Sequence, residues 1–306
     1  MPDPSTSDPD EQRRTILATA YAEASALNRM HRDALTDFLR APAAVPLPSG
    51  ARPLYWLGRL RQWRGIDLSQ GDSATPDWSA LRMGVLEALA GTYALALYED
   101  VWRGQRRRQI YDRDIALLIA MLVTLGWAHL AAHVLKCRFG SDVNHAGHPV
   151  PGGIAGMIVG VAGKGLNVPV VPCTFQKGEE LLAEMIEVWD LDDSVFTPLA
   201  IQLANRHLSH CRQDSGQMLF DFDHPVEQAM PIELLMMLRL RGETSIPDVL
   251  SRHPALQHPA ATLIEPHPPV LSARCRTFID CVSRVLPACE TLDAAIAIQV
   301  QLFTTS

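Results

Sequence analysis

Three groups of residues in this 306-residue chain have the types and spacing to do chemistry. The first is Gly163-Lys164 within "GMIVGVAGKGLNVPVVP", residues 156 to 172, which matches the end of a phosphate loop. Such a loop needs G-x-x-x-x-G-K followed by Ser or Thr, so that backbone N–H groups wrap the phosphates and the hydroxyl holds Mg²⁺. Here Ile158 stands where the opening glycine belongs, and Gly165 stands in place of the hydroxyl. The preceding "HAGHPVPGGIAGM" is too rich in Gly and Pro to be the buried strand that such a loop follows. The glycines are therefore expected to allow close backbone approach or a hinge.

The second group is His129 and His133, whose i, i+4 spacing puts both imidazoles on one helix face, as in the zinc-binding H-E-x-x-H pattern. Leu130 stands where the general-base Glu belongs, and the sequence nominates no third ligand. A helical metalloenzyme using His129 and His133 is one alternative reading; two histidines finding partners between packed helices is the expected one. His148, His224, His253, His258 and His267 each precede proline, which forces extended backbone, so they mark turns. Ser215, in "QDSGQ", sits in a loop rather than in a nucleophile elbow. No catalytic, cofactor-binding or metal-ligating residue is assigned, and the chain is read as a non-enzyme with no cofactor.

The third group is acidic. Glu180, Glu184, Glu187 and Asp190 fall at i, i+4, i+7 and i+10, one carboxylate stripe on a helix expected from Gly178 to Asp193, extended by Glu179, Asp192 and Asp193. Like charges so placed destabilise an isolated helix by about 0.2–0.5 kcal/mol per pair. An offsetting cation, from the protein's own arginines or from a partner, is one reading of the stripe, and a merely solvated face is the other. Asp221 and Asp223, in "LFDFDHP", form a second acidic candidate.

The elements that must position these residues read as all-α, in two packed helical halves. Residues 1–10 read as a disordered tail, 11–149 as an N-terminal helical half, 150–172 as a Gly/Pro-rich connection and 173–306 as a C-terminal helical half. Helix formers run from Glu11 to Leu39, and "RAPAAVPLPSGARP" follows as a linker. Residues 55 to 63 read as a short amphipathic helix. The next helix takes Thr75 as N-cap and Pro76 at its first position, with Gly84, Ala88 and Gly91 admitting a close neighbour. Ile115 to Leu135 carries no formal charge over 21 residues, enough to cross a bilayer; a buried central helix is expected instead. Thr197 and Pro198 read as a further cap and first-turn pair. Pro231 to Gly242 is apolar on nearly every side, with Met230, Met236 and Met237 in the core. Two amphipathic segments, roughly 270 to 286 and 290 to 303, close the chain.

The net charge of −7 argues against nucleic acid and favours a basic partner. Six scattered cysteines without C-x-x-C, and a polar opening without a signal peptide, point to a reduced cytoplasm, each Cys acting as a small buried hydrophobe.

The order of segments resembles the two-part, all-helical immunity proteins of bacterial polymorphic toxin systems, those that guard producer cells against type VI secretion nuclease toxins. The resemblance runs through "LEALAGTYALALYEDVW", "RDIALLIAMLVTLGWAHLAAHVL", "LLAEMIEVWDLDDS", "DFDHPVEQAMPIELLMMLRLRG" and "HPALQHP", covering most of residues 55 to 265. The glycine-rich insert at 150 to 166 departs from it. The resemblance implies a protein that binds a cognate toxin and occludes its active site, with no catalytic residue of its own. An acidic surface suits that task because a nuclease cleft must be positive. A helical adaptor or chaperone for a secreted effector is the other non-enzymatic alternative, and pairing into a homodimer is left open.

Overall fold

The computed structural model describes residues 28–67, 75–101, 111–141, 151–212 and 220–305. The expected tail, most of the first helix-forming run, His148 and Ser215 lie outside them. The described chain is all-α, thirteen α-helices with no strand among the described residues.

Helix α1 covers 28–40 and buries Leu35 and Phe38. Helix α2, Pro48–Ile66, starts inside the proline-rich stretch expected to be a linker. The correction has a simple cause: the first-turn N–H groups of a helix lack intrahelical partners, so Pro48 starts a helix without losing a bond. Helix α3, Trp78–Val101, is capped by Asp77, whose Oδ1 accepts the N–H groups of Ser79 and Ala80 at 3.0 Å each. The cap therefore lies two residues beyond the expected Thr75.

Among the described residues, helices α2 and α3 share the most extensive contact, and small residues make it possible. A Cβ added at Gly58 would fall 2.4 Å from the Ala88 nitrogen and 2.6 Å from the Gly84 carbonyl oxygen; one at Gly91 would fall 2.5 Å from the Ala51 oxygen. The close approach expected at Gly84, Ala88 and Gly91 is thus backbone against backbone.

The apolar run at 115–135 is buried as expected, but it is two helices, α4 (Asp112–Thr124) and α5 (Ala128–Phe139). The chain turns at Gly126, where φ is +77°, a conformation that disfavours residues with a Cβ. Among the described residues, α3 alone is long and apolar enough to cross a membrane by length and composition, over Trp78–Glu99, and 72% of that window is buried within the protein.

The Gly/Pro-rich connection is also corrected. Helix α6, Gly153–Gly165, occupies most of it and is buried from Ile154 to Gly163. Helix α4 packs against α6, α10 (Ile232–Leu240), α5 and α3, so the expected halves share one core that runs from Leu35 to Ile296. Beyond α6 the chain is extended over 168–175, pinned by Val171 N–H to Phe139 O (2.8 Å) and Thr174 N–H to Pro151 O (3.0 Å). Helix α7 is Glu180–Val188 and α8 is Asp193–His210. Pro198 lies inside α8 rather than in its first turn, because the helix opens at Asp193. Short helices α9 (Pro225–Ala229) and α11 (Asp248–Ser251) flank α10, whose end at Gly242 (φ +82°) is as expected. Met230, Met236 and Met237 are fully buried. Helices α12 (Ala273–Val285) and α13 (Glu290–Thr304) match the two closing segments.

Candidate functional site

Helix α7 has an apolar side, Leu182, Met185 and Val188, that seats it on α6, and this forces Glu180, Glu184 and Glu187 outward. The Glu180 carboxylate accepts the Gly178 N–H at 3.0 Å, and this bond, with a second from its own backbone, holds its carboxyl below the usual range. Glu179 is half-buried and accepts the Gln176 N–H at 2.9 Å. The helix ends at Val188, so Asp190 and Asp192 lie in the turn and Asp193 opens α8; all three are exposed. The expected single stripe is therefore an acidic edge made by a helix, a turn and the start of the next helix.

Two cations answer it from within. Lys164 pairs with Glu187 at 2.8 Å and donates to the Ile186 carbonyl at 3.0 Å. Arg241 pairs with Asp193 at 2.5 Å, donates to the carbonyls of Trp189 and Leu191, and lies 4.2 Å over the Phe196 ring. Glu184, Asp190 and Asp192 have no ion pair or side-chain hydrogen bond among the described residues. Leu191 and Val195, 45% and 43% exposed, stand among these carboxylates.

Beside this edge an open groove of about 680 Å³ runs between α6, the extended segment 168–173 and α7, with Ile186 and Phe175 against it and Lys164 and Glu187 at its rim. Ile186 reaches into the groove floor because Gly160 has no side chain; a Cβ there would fall 2.6 Å from Ile186 Cδ1. Cys173 lines the groove, but burial pushes its thiol up to about 11, which keeps it protonated and unreactive near neutrality. Gly163 and Lys164 form the last turn of α6. A helix C-terminus presents carbonyl oxygens and a partial negative charge, the opposite of a phosphate cradle.

The second acidic candidate is tied inward. Asp221 meets Arg206 at 2.7 Å and His210 Nδ1 at 2.8 Å. Burial works to raise its pKa, but these two partners together hold it below the ordinary carboxylate value. Asp223 meets Arg113 at 3.2 Å, and Arg113 also donates to the Phe220 carbonyl at 2.5 Å. Asp221 and Asp223 thus fasten the segment before α9 and present little free charge.

His129 and His133 sit on α5. His133 Nε2 lies 3.1 Å from the Tyr93 hydroxyl, which lies 2.6 Å from Thr291 Oγ1. Among the described residues no three His, Cys, Asp or Glu side chains converge to hold a metal. The cysteine expectation fails at Cys137, which is exposed at the end of the same helix face. Burial pushes the thiols of Cys275 and Cys289 up to about 12.

Two buried ionic pairs had no signature in the sequence. Arg59 on α2 meets Glu227 on α9, and Arg59 also donates to Gln62 Oε1 at 2.8 Å. Asp114 and Tyr55 adjoin this pair, and burial raises the pKa of both. His207 on α8 and Glu233 on α10 are both fully buried, 2.8 Å apart, with Phe222 packed on the imidazole. Desolvation opposes a charge on His207, but Glu233 together with Cys211 outweighs it and raises the imidazole to about 10. The histidines before proline also have a role that residue counting missed. His224, His253 and His258 each accept on Nδ1 the N–H two residues onward, at 3.2, 3.2 and 3.1 Å, so they cap the turns that they mark.

Comparison with protein families, curated proteins and solved structures yields no match to this chain.

Proposed function

We propose that the protein is an immunity protein: it binds an antibacterial toxin, a nuclease with a basic cleft, through the acidic edge of α7 and the turn into α8, and so blocks the toxin's active site. The observation that carries this reading is the set of unpaired, exposed carboxylates Glu184, Asp190 and Asp192 around exposed Leu191 and Val195. Apolar contact area inside a charged rim is the anatomy of a protein-binding surface. Surplus negative charge steers a basic partner and rejects others, while nucleic acid is repelled. The segment order described above supports the choice of toxin as partner. The function in this reading is occlusion, and no bond is made or broken by this chain.

The test is co-expression with any toxin domain that a neighbouring open reading frame proves to encode. The wild-type chain is expected to restore growth and to form a complex whose affinity falls as salt rises. Reversing Glu180, Glu184 and Glu187 to Lys is expected to abolish both effects, with circular dichroism confirming the fold. Absence of rescue by the wild type, or undiminished affinity of the triple variant at low salt, overturns the reading.

A further inference from the structure

A second cavity, of about 440 Å³, lies between α1, α2 and the start of α12, elements that do not line the α7 groove. Four arginines surround it: Arg32, Arg61, Arg64 and Arg274, with Asn28 beside them. In a chain with a net charge of −7 this local concentration of positive charge runs against the composition. Among the described residues, one carboxylate pairs with these arginines. Glu87, with no exposed surface, takes Arg274 through both oxygens (Nε at 3.2 Å, Nη2 at 2.6 Å) and Arg61 at 3.3 Å. Ser272 Oγ donates to the same carboxylate at 2.5 Å. Glu87, on α3, thus fixes two guanidinium groups, and Arg61 Nη1 also donates to Met83 Sδ at 3.5 Å. Arg32 and Arg64 are exposed and have no side-chain partner among the described residues. Among the described residues, four guanidinium groups set against one paired carboxylate leave three positive charges around the cavity.

We infer that this cavity is a binding site for a diphosphate-bearing small molecule. Guanidinium groups held in fixed orientation are the side chains best matched to phosphate oxygens. A single phosphoryl group carries about −1.5 to −2 near neutrality, so two are needed to offset three positive charges. The cavity exceeds the size of two phosphoryl groups, and Leu57 and Leu60 supply an apolar wall for the remainder of the ligand. The site does not depend on the toxin-binding reading.

Titration calorimetry of the full chain with sodium pyrophosphate and with ADP, at low ionic strength, tests the inference. Saturable one-to-one binding is expected, weakened about tenfold or more in the Arg32→Gln/Arg64→Gln double variant, whose side chains hold nothing else in place. Arg40→Gln, on the same helix but outside the cavity, is expected to bind as the wild type does. Arg64→Lys, which keeps the charge and loses the fork, is expected to fall between. Tighter binding of ADP than of pyrophosphate identifies a phosphorylated ligand that uses the Leu57–Leu60 wall; equal or weaker binding identifies free diphosphate. No saturable binding of either probe, or equal affinity in the double variant, overturns the inference.

Discussion

Arg59 and Glu227 stand 168 positions apart in the chain and meet as an ion pair inside the protein, with side chains 6% and 2% exposed. The contact joins α2, near the front, to α9, beyond the glycine-rich middle, and Gln62 takes a further N–H of the guanidinium. Desolvation penalises the charged arginine, but Glu227 more than compensates, so Arg59 is held protonated. Removing one partner leaves the other charge buried and alone. Glu227→Gln and Arg59→Met are each expected to lower unfolding free energy by about 3–5 kcal/mol, whereas Arg59→Met with Glu227→Leu should recover most of the loss. Urea denaturation of the three variants checks this.

Two histidines make stability depend on pH in opposite directions. His207, raised to about 10, binds its proton more tightly in the folded protein; its contribution is complete below 6.5 and is lost as pH rises through 10. His224 is held well below 6.5 by burial and by Arg59, so its contribution is complete above 6.5 and is lost as pH falls below that value. The denaturation midpoint is therefore expected to peak near pH 6.5. His207→Gln should flatten the alkaline limb. His224→Asn, which keeps an acceptor for the Val226 N–H, should reduce the acid limb to the shares of His31, His133 and His253, which burial also holds below the ordinary imidazole value.

Glycines that look alike in the sequence should respond differently to a methyl group. Gly58→Ala and Gly84→Ala push a Cβ against backbone atoms at 2.4–2.6 Å, which no rotamer change relieves, so each is expected to destabilise by about 3 kcal/mol or more. At Gly178 and Gly242 nothing lies within 4 Å, and the penalty comes from positive φ alone, about 1–2 kcal/mol. Thermal melts of the four variants rank them.

Much of this contrast can be read in the sequence before any coordinates. Gly84, Ala88 and Gly91 recur at helical spacing, and such spacing signals a packed face. The apolar fill of α10 and its stop at Gly242 are equally local, as are α12 and α13. The misreadings occur where local composition opposes tertiary burial. Residues 153–165 look like a connection because glycine is a poor helix former, yet those glycines let Ile186 and Leu240 lie against the helix. Pro48 looks like a linker residue but starts a helix. Of the acidic candidates, the exposed edge of α7 followed from period alone. That Asp221 and Asp223 are tied to Arg206 and Arg113 could not follow, because the partners lie elsewhere in the chain and spacing does not encode them.

Glu184 and Asp190 carry charge but hold nothing in place, so Glu184→Gln with Asp190→Asn is expected to leave stability within about 0.5 kcal/mol. The same change should slow association with a basic partner, most visibly at low salt. Parallel urea denaturation and stopped-flow association separate the two effects.

The backbone contact between Gly58 and Gly84 also governs how the molecule can move. Helices that touch through side chains can slip past each other as rotamers exchange, but two main chains pressed together have no such bearing layer. Helices α2 and α3 are thus a single beam. Any shape change on engaging another molecule must arise in parts hung from that beam, such as α7, which meets α6 through the Ile186 side chain lying on Gly160 and so keeps a side-chain layer between the two main chains.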